Sequence, residues 1–430
     1  MRLSGSRLLR TRASHVRQIS VRRLVHSTDG LDGSRALGLP SNSTPLQKIL
    51  YASIQAKGPI PVSEYMQMCL SHPIEGYYMK GDPIGARGDF ITSPEISQLF
   101  GELVGIWFVY QWLEHGQSRA IRVVELGPGR GTLMDDMLRT FDSIKQTRGQ
   151  IQAVHLVETS NKLREEQKSR LTMRVPERIL CWHDRAEDIS KSDDAFTVLV
   201  AHELFDAIPI HIIEKTPDGF QEVLVDIDRT AQTTTTGTLS SVNAPCGFRF
   251  VLSGRLSPLA HTLGQSSPRF ASVPNASRIE VSPTSWGIAR TIGEMLSAPG
   301  GGAGLIIDYG DNRAFGSSFR ASNTNPIDVF YQPGLSDLTA NVDFAYLEEA
   351  IASTSASTRG PITQRAFLAG MGVSVRVQRL LAGVEDAEKR TRIEKGAQRL
   401  MDPLGMGTQY KVLGITSSTG DTYPFNINIT

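Results

Sequence analysis

The feature that most constrains this chain is the segment Val123–Leu133, V-V-E-L-G-P-G-R-G-T-L, in which an apolar run leads through three glycines into the start of a helix. The run Ile121–Leu126 is typical of a central strand in a parallel α/β sheet. Gly127, Gly129 and Gly131 allow the backbone to turn tightly and to approach a ligand without a Cβ atom in the way. Because the amides at a helix N-terminus would face the bound group, the pattern predicts a nucleotide-type cofactor site. A purely structural glycine turn is the alternative.

The spacing of the glycines distinguishes two classes of cofactor. The dinucleotide fingerprint G-x-G-x-x-G would place its third glycine at Thr132, whereas this chain has Gly131, and Glu125 stands two residues before the first glycine. The arrangement E-x-G-x-G-x-G resembles motif I of the class I S-adenosylmethionine methyltransferases. That resemblance implies that the loop passes under the methionyl part of the cofactor and that Glu125 helps to hold its ammonium group.

Carboxylates also follow the next two predicted strands. The apolar segment Ile151–Val157 ends in Glu158, about thirty residues beyond the first glycine. In open α/β sheets a carboxylate at this place can accept both ribose hydroxyls; a solvated surface acid is the alternative. A third strand, expected near Arg178–Trp182, precedes Asp184, which is a candidate for contact with the adenine amino group or an ordinary loop acid.

The length of 430 residues suits one large α/β domain with insertions, or two domains. The predicted fold class is α/β, of the class I S-adenosylmethionine-dependent methyltransferase type: a Rossmann-like seven-stranded sheet with an N-terminal helical region and insertions. The predicted segments are a helical region and lid (46–117), two parts of the core (118–210 and 281–416), a substrate-side insertion (211–280) and a C-terminal tail (417–430). His211–Asp228 is predicted to form a hairpin, and Thr230–Asn243 and Ser253–Ser277 to form loops. The last strands are expected near Gly360–Thr363 and Gln409–Ile415.

The first 28 residues have the composition of a mitochondrial transit peptide, with seven arginines, several serines and no acidic residue before Asp29. Removal of those arginines would leave 38 basic and 44 acidic residues, so the mature charge would be near −6 rather than +1. Residues 29–45 would form a flexible leader, and the mitochondrial matrix is the expected location. A basic arm for nucleic acid is disfavoured, because no basic and aromatic pattern continues it.

The sequence suggests neither a membrane span nor a metal site. No apolar run approaches the roughly twenty residues that a bilayer requires. Cys69, Cys181 and Cys246 are widely spaced and form no C-x-x-C pair, so neither a zinc site nor a disulfide framework is indicated.

Further motifs resemble the MidA family over about residues 45–415. The resemblance implies a matrix protein-arginine methyltransferase that acts as a complex I assembly factor. It also implies mono- and symmetric dimethylation of an arginine in the 49-kDa iron–sulfur subunit of complex I. The stretches that carry it are G-Y-Y-M-K-G-D-P-I-G-A-R-G-D-F-I-T-S-P-E-I-S-Q-L-F-G-E (Gly76–Glu102), H-E-L-F-D-A-I-P-I (His202–Ile210), I-I-D-Y-G (Ile306–Gly310), P-G-L-S-D-L-T-A-N-V-D-F (Pro333–Phe344) and M-G-T-Q-Y-K-V-L (Met406–Leu413).

Glu203 and Asp206 are the candidate catalytic residues. They follow the predicted strand Phe196–Ala201, where amide and adenine methyltransferases carry an N/D-P-P-Y motif that is absent here. An arginine acceptor calls for carboxylates, because its guanidinium stays protonated and presents a planar fork of donors. The alternative roles are capping of the next helix or bridging to a nearby arginine.

The segment Gly88–Glu95 is predicted to form a lid over the cofactor, because it lies upstream of the glycine loop. Thr92 or Ser93 would cap the helix that begins at Pro94. The family resemblance favours Asp89 and Thr92 as contacts of cofactor or substrate; a plain helix start is the alternative.

Three functions remain open at this stage. They are an arginine methyltransferase for a complex I subunit, a small-metabolite methyltransferase with the same cofactor site, and a non-catalytic assembly chaperone that retains the fold. One departure bears on the choice of acceptor: bacterial members of the family more often have Asn where this chain has His202.

Overall fold

A computed structural model describes residues 43–79, 91–116, 119–191, 194–229, 247–322 and 326–426. The predicted transit peptide, nearly all of the predicted leader, Asp89 and the Thr/Ser-rich stretch Thr230–Asn243 lie outside the described residues.

Strands and helices alternate through the described part of the chain. The strands are β1 (Ile60–Pro61), β2 (Ile121–Leu126), β3 (Ile151–Val157), β4 (Leu180–His183), β5 (Phe196–His202), β6 (His211–Thr216), β7 (Gly219–Ile227), β8 (Phe248–Leu252), β9 (Arg278–Val281), β10 (Gly302–Asp311), β11 (Arg320–Ser322), β12 (Pro326–Ile327), β13 (Asp337–Thr339), β14 (Val342–Asp343), β15 (Ser357–Thr363) and β16 (Tyr410–Thr416). The α-helices are α1 (Pro45–Lys57), α2 (Val62–Ser71), α3 (Ser93–Ile96), α4 (Gln98–His115), α5 (Thr132–Ser143), α6 (Asn161–Leu171), α7 (Pro258–Gly264), α8 (Pro268–Ala271), α9 (Pro283–Leu296), α10 (Phe344–Ile351), α11 (Gln364–Gly370), α12 (Val373–Ala382), α13 (Ala387–Leu400) and α14 (Met406–Gln409).

The central sheet has the order β15-β16-β10-β5-β2-β3-β4, and the short strand β14 pairs with the end of β10. The neighbours β10, β5, β2, β3 and β4 run parallel, whereas β16 is antiparallel to both β10 and β15. The predicted seven-stranded sheet with an antiparallel end is therefore confirmed. The chain order reverses between β2 and β5, and such a switch point opens a crevice at the carboxyl ends of the strands.

Helices cover both faces of this sheet. Along β5, Val198 and Val200 pack with α4 and α5, whereas Leu199 and Ala201 pack with α9 and α10 on the opposite face. Burial of both faces explains why the parallel strands are continuous apolar runs rather than alternating ones. Among the described residues, no helix is long and apolar enough to cross a membrane.

A second lobe lies at the carboxyl edge of the central sheet. It contains the sheet β1-β7-β6-β9 with β8 paired to β7, and the small sheet β12-β11-β13. Apolar residues of α1 and α2 share one core with β6, β7, β8 and β13. The N-terminal helices and the insertion, predicted as separate segments, thus pack together, and β9 extends the inserted sheet to Val281.

The positions of several elements correct the sequence-based predictions. The stretch Ser253–Ser277, predicted as loop, contains α7 and α8, because Ser257 and Ser267 cap the two helices and a proline occupies the first turn of each. The third strand begins at Leu180 rather than Arg178, because a 3₁₀ turn follows Pro176.

Candidate active site

A cavity of about 1360 Å³ lies between the carboxyl edge of the sheet and the second lobe. We call it the central cavity. Its walls include all but two of the site residues predicted from the sequence: Glu125, Gly127, Gly129, Glu158, Asp184, Thr92, Glu203 and Asp206. Gly131 does not line the cavity, and Asp89 lies outside the described residues.

The glycine loop after β2 needs its glycines for their backbone conformation. Gly127, Gly129 and Gly131 have φ values of 69°, 52° and 76°, in the left-handed region. The amide of Gly127 donates a hydrogen bond to the Val157 carbonyl at 3.0 Å, which fixes the loop to the end of β3. A Cβ atom on Gly127 would lie 3.1 Å from Leu204 Cδ1. Gly131 is the N-cap residue of α5.

Glu125 is buried beneath this loop, and its Oε2 atom has no hydrogen-bond partner among the described residues. Burial raises the pKa of its carboxyl from 4.5 to about 8. An ammonium group in the cavity would supply the missing donor and restore the charged carboxylate. The residues present therefore fit the amino acid end of S-adenosylmethionine.

Glu158 follows β3 and is held in place by local hydrogen bonds. Its Oε1 accepts the Ser160 amide at 2.8 Å, and burial raises the pKa of its carboxyl. Ser160 is also the N-cap residue of α6, so this helix begins three residues after Glu158, at Asn161. This placement leaves the Glu158 side chain at the cavity wall, which is compatible with the predicted contact to ribose hydroxyls.

Gln167, on α6, was not predicted as a site residue. It is fully buried, and its Nε2 donates to the Gly129 carbonyl at 2.7 Å and to Glu158 Oε2 at 3.4 Å. Its Oε1 accepts the indole N–H of Trp182 at 2.8 Å. The sequence does indicate that this glutamine is buried, because it lies four residues from Leu163 and four from Leu171 and therefore on the same inward face of the helix.

Asp184, a predicted cofactor residue, is largely exposed. Its side chain is 75% exposed and accepts a hydrogen bond from Arg164 Nη2 at 2.5 Å. Arg164 also donates to the Glu158 carbonyl at 2.6 Å, so Asp184 belongs to the same loop network.

Glu203 follows β5 with a φ of 49°, which is unusual for a residue other than glycine. Its amide donates to the Ile307 carbonyl at 3.0 Å, and its Oε1 accepts the hydroxyl of Tyr410. Burial raises the pKa of its carboxyl from 4.5 to about 8, and the side chain remains 14% exposed at the cavity wall. The segment after β5 is a 3₁₀ turn over Phe205–Ala207 with no side-chain cap, so the helix-capping alternative for these acids is wrong.

Asp206 lies near two further carboxylates, those of Asp308 and Asp337. Burial and the neighbouring Asp308 and Asp337 raise the pKa of Asp206 well above its usual value, and Arg320 opposes the shift. Asp337 accepts the hydroxyl of Tyr78 at 2.9 Å, and both reach the cavity from the second lobe. We call Glu203, Asp206, Asp337 and Tyr78 the acidic pocket.

Asp308 has a different role from the acids that line the pocket. It is fully buried and accepts the amides of Phe205 at 2.9 Å, Asp206 at 3.3 Å and Tyr309 at 2.8 Å. Its pKa is raised to about 7 by burial and by Glu203. Asp308 therefore shapes the turn that presents Asp206.

Two residues at the cavity bear on the lid and the acceptor. Thr92 precedes α3 and lines the cavity, but its side chain does not cap the helix, so that expectation is wrong.

His202 is buried, and its Nε2 has no hydrogen-bond partner among the described residues and lies 3.7 Å from Glu203 Oε1. Burial lowers the pKa of His202 to about 3, so the imidazole is neutral at physiological pH.

Comparison with known proteins gives consistent matches. Residues 103–362 match the family described as "Putative S-adenosyl-L-methionine-dependent methyltransferase". The protein arginine methyltransferase NDUFAF7, mitochondrial, of Xenopus laevis is 37% identical over 396 residues, which is 87% of this chain and 85% of the relative. The human protein of that name is 36% identical, over 86% and 83% of the two chains. The Drosophila melanogaster homolog is 37% identical, over 88% and 87%.

A solved structure from Burkholderia thailandensis, with S-adenosyl-homocysteine bound, is also similar to this chain. It has 25% sequence identity and a TM-score of 0.69, over 92% of this chain and 96% of that one. The sheet order, the glycine loop and these matches define an S-adenosylmethionine-dependent methyltransferase with a class I fold. The chain belongs to the S-adenosylmethionine-dependent methyltransferase family whose model matches residues 103–362.

Proposed function

We propose that this protein is a mitochondrial protein-arginine N-methyltransferase of the matrix. Its proposed acceptor is an arginine in the 49-kDa iron–sulfur subunit of complex I, which it would dimethylate symmetrically during assembly of that complex. The acidic pocket carries the proposal, because it places carboxylates beside the predicted cofactor residues in one cavity.

The chemistry of an arginine acceptor accounts for the composition of this pocket. S-adenosylmethionine supplies a methyl group, so that a carbon–sulfur bond breaks, a carbon–nitrogen bond forms and the sulfonium becomes a neutral thioether. The guanidinium keeps one positive charge in the product and releases one proton. The protein therefore has to hold a cation, orient one nitrogen and accept a proton.

The described residues are suited to these tasks. Carboxylates of Glu203, Asp206 and Asp337 can accept the N–H groups of a guanidinium and draw its charge away from the reacting nitrogen. A bound guanidinium favours the charged form of Glu203, and the raised pKa of this carboxyl then suits it to take the released proton. The neutral His202 adds no charge that would repel a cation.

The proposed substrate and location have separate support. Curated relatives are named mitochondrial protein arginine methyltransferases, and the first 28 residues have the composition of a transit peptide. The 49-kDa subunit, the symmetric product and the role in assembly derive from the MidA resemblance of motifs that include His202–Ile210 and Met406–Leu413.

The test is to incubate the protein with S-adenosylmethionine labelled in its methyl group and the unassembled 49-kDa subunit, and to map every arginine by mass spectrometry. The expected result is label on one arginine, absent with Glu203→Gln. Label in a small-molecule fraction alone would instead support a metabolite methyltransferase. Cofactor binding with no transfer to either acceptor would support an assembly chaperone.

A further inference from the structure

Tyr410 lies behind the wall of the central cavity and donates a hydrogen bond to Glu203 of the acidic pocket, but it is absent from the chemistry described above. It is the first residue of β16, within the motif M-G-T-Q-Y-K-V-L, and it is fully buried. The register of the sheet places it opposite Tyr309, and the two ring centroids are 4.1 Å apart. A strand from the far end of the chain thus brings a phenol to the end of β5.

The hydroxyl of Tyr410 donates to Glu203 Oε1, and a further hydrogen bond links it to Tyr309. The ring of Tyr410 also lies parallel to that of His202, with an interplanar angle of 11° and 6.2 Å between centroids. Burial and the charge of Glu203 raise the pKa of Tyr410 far above its usual value, so the phenol stays protonated and remains a donor.

The backbone conformation of Glu203 explains why the hydrogen bond from Tyr410 matters. A residue with a φ of 49° is strained and keeps that conformation only when its surroundings fix it. Among the described residues, the Glu203 amide donates a hydrogen bond to the Ile307 carbonyl, and its carboxyl accepts hydrogen bonds from the Tyr410 hydroxyl and the Ser93 amide. Loss of the phenol hydroxyl would remove the larger of these two carboxyl contacts and leave the Ser93 amide as the remaining donor.

We propose that Tyr410 is a positioning residue of the acceptor site, whose hydroxyl orients the Glu203 carboxylate toward the acceptor and favours its charged form. The inference rests on the proposed function, because it assigns Glu203 to a cationic acceptor. Burial opposes the charge on Glu203, and the hydrogen bond from Tyr410 favours it. The acidic neighbours Asp206, Asp337 and Asp308 also disfavour that charge, whereas the neutral His202 does not oppose it.

Tyr410→Phe removes the hydroxyl and keeps the ring. Its expected effect is a rise in the pKa of Glu203 by about one pH unit, which is the size expected for loss of one charge-assisted hydrogen bond. At pH 7 the variant should lose about tenfold in kcat/KM, and the loss should be recovered at pH values above the new pKa. A purely structural defect would not be recovered by alkaline pH.

The matched control is Tyr346→Phe. Tyr346 is also buried and donates one hydrogen bond, to Ser266 Oγ at 2.9 Å, but it does not line the central cavity. This variant should lose some stability and keep the wild-type pH profile.

A second measurement separates this inference from the proposed function. The protonated carboxyl of Glu203 can be titrated by infrared difference spectroscopy, with Glu203→Gln as the reference, without any acceptor. A higher pKa in Tyr410→Phe supports the inference even if no arginine is methylated, in which case only the proposed function fails. Arginine methylation with an unchanged Glu203 pKa and an unchanged pH profile in Tyr410→Phe would overturn the inference.

Discussion

Two buried glutamines offer a matched test of how the cofactor site is held together. Gln167 makes three side-chain hydrogen bonds, to the Gly129 carbonyl, to Glu158 and from Trp182. Gln111, on α4, is 1% exposed, and neither of its side-chain polar atoms has a hydrogen-bond partner among the described residues. The same substitution to leucine, which nearly preserves the volume, should therefore have opposite effects at the two positions.

The expected magnitudes follow from the hydrogen bonds. Each intramolecular hydrogen bond contributes about 1 kcal/mol, so Gln167→Leu should lower the free energy of unfolding by about 3 kcal/mol. Gln111→Leu removes buried polar atoms without partners and should be neutral or stabilise by about 1 kcal/mol. Because Gln167 joins the glycine loop to Glu158, its loss should also weaken S-adenosylhomocysteine binding at least about tenfold, or about 1.4 kcal/mol.

Urea denaturation and calorimetric titration with S-adenosylhomocysteine would measure both effects. Gln111→Leu should bind the ligand with wild-type affinity. Equal stability of the two variants, or unchanged ligand affinity in a folded Gln167→Leu protein, would refute the assignment of Gln167 as a link between the cofactor-binding segments.

Three further predictions concern the cofactor and acceptor sites. Glu125→Gln should weaken S-adenosylhomocysteine binding, as measured by calorimetry. Because the pKa of Glu125 is about 8 in the folded protein and 4.5 when unperturbed, the wild-type apo-protein should lose stability as pH rises from 4.5 through 8, and the variant should lose less in urea titrations. Gly127→Val should abolish S-adenosylhomocysteine binding in a folded protein, because φ is 69° and the Cβ atom would meet Leu204; retained affinity would contradict the loop assignment. Affinity for an arginine peptide should increase as pH rises toward 8, because Glu203 loses its proton there while the guanidinium keeps its charge; a pH-independent dissociation constant would count against the acidic pocket.

The positions of the proposed cofactor residues could be predicted from the sequence because their signals are local. Glu125, Gly127 and Glu158 each stand at or near the end of an apolar run that forms a parallel strand. Parallel strands bring their carboxyl ends to one edge, so a correct assignment of β2 and β3 was enough to bring these residues together.

The proposed acceptor half of the site depends on contacts between distant segments. Tyr78, Asp337 and Tyr410 reach Glu203 or Asp206 from three separate parts of the chain. Their positions follow from the packing of the second lobe and from the antiparallel insertion of β16 beside β10. Shifting the register of β16 by one residue would turn Tyr410 away from the pocket, and no single-sequence pattern specifies that register.

The central claim is that the acidic pocket serves the acceptor and the glycine loop serves the cofactor. The most direct test compares Glu203→Gln with the wild-type protein for S-adenosylhomocysteine affinity and for methyl transfer to arginine. The account predicts an affinity within about threefold of wild type and a loss of at least about 100-fold in transfer, the lower end for a proton-transfer group. Wild-type turnover by the folded variant would contradict it.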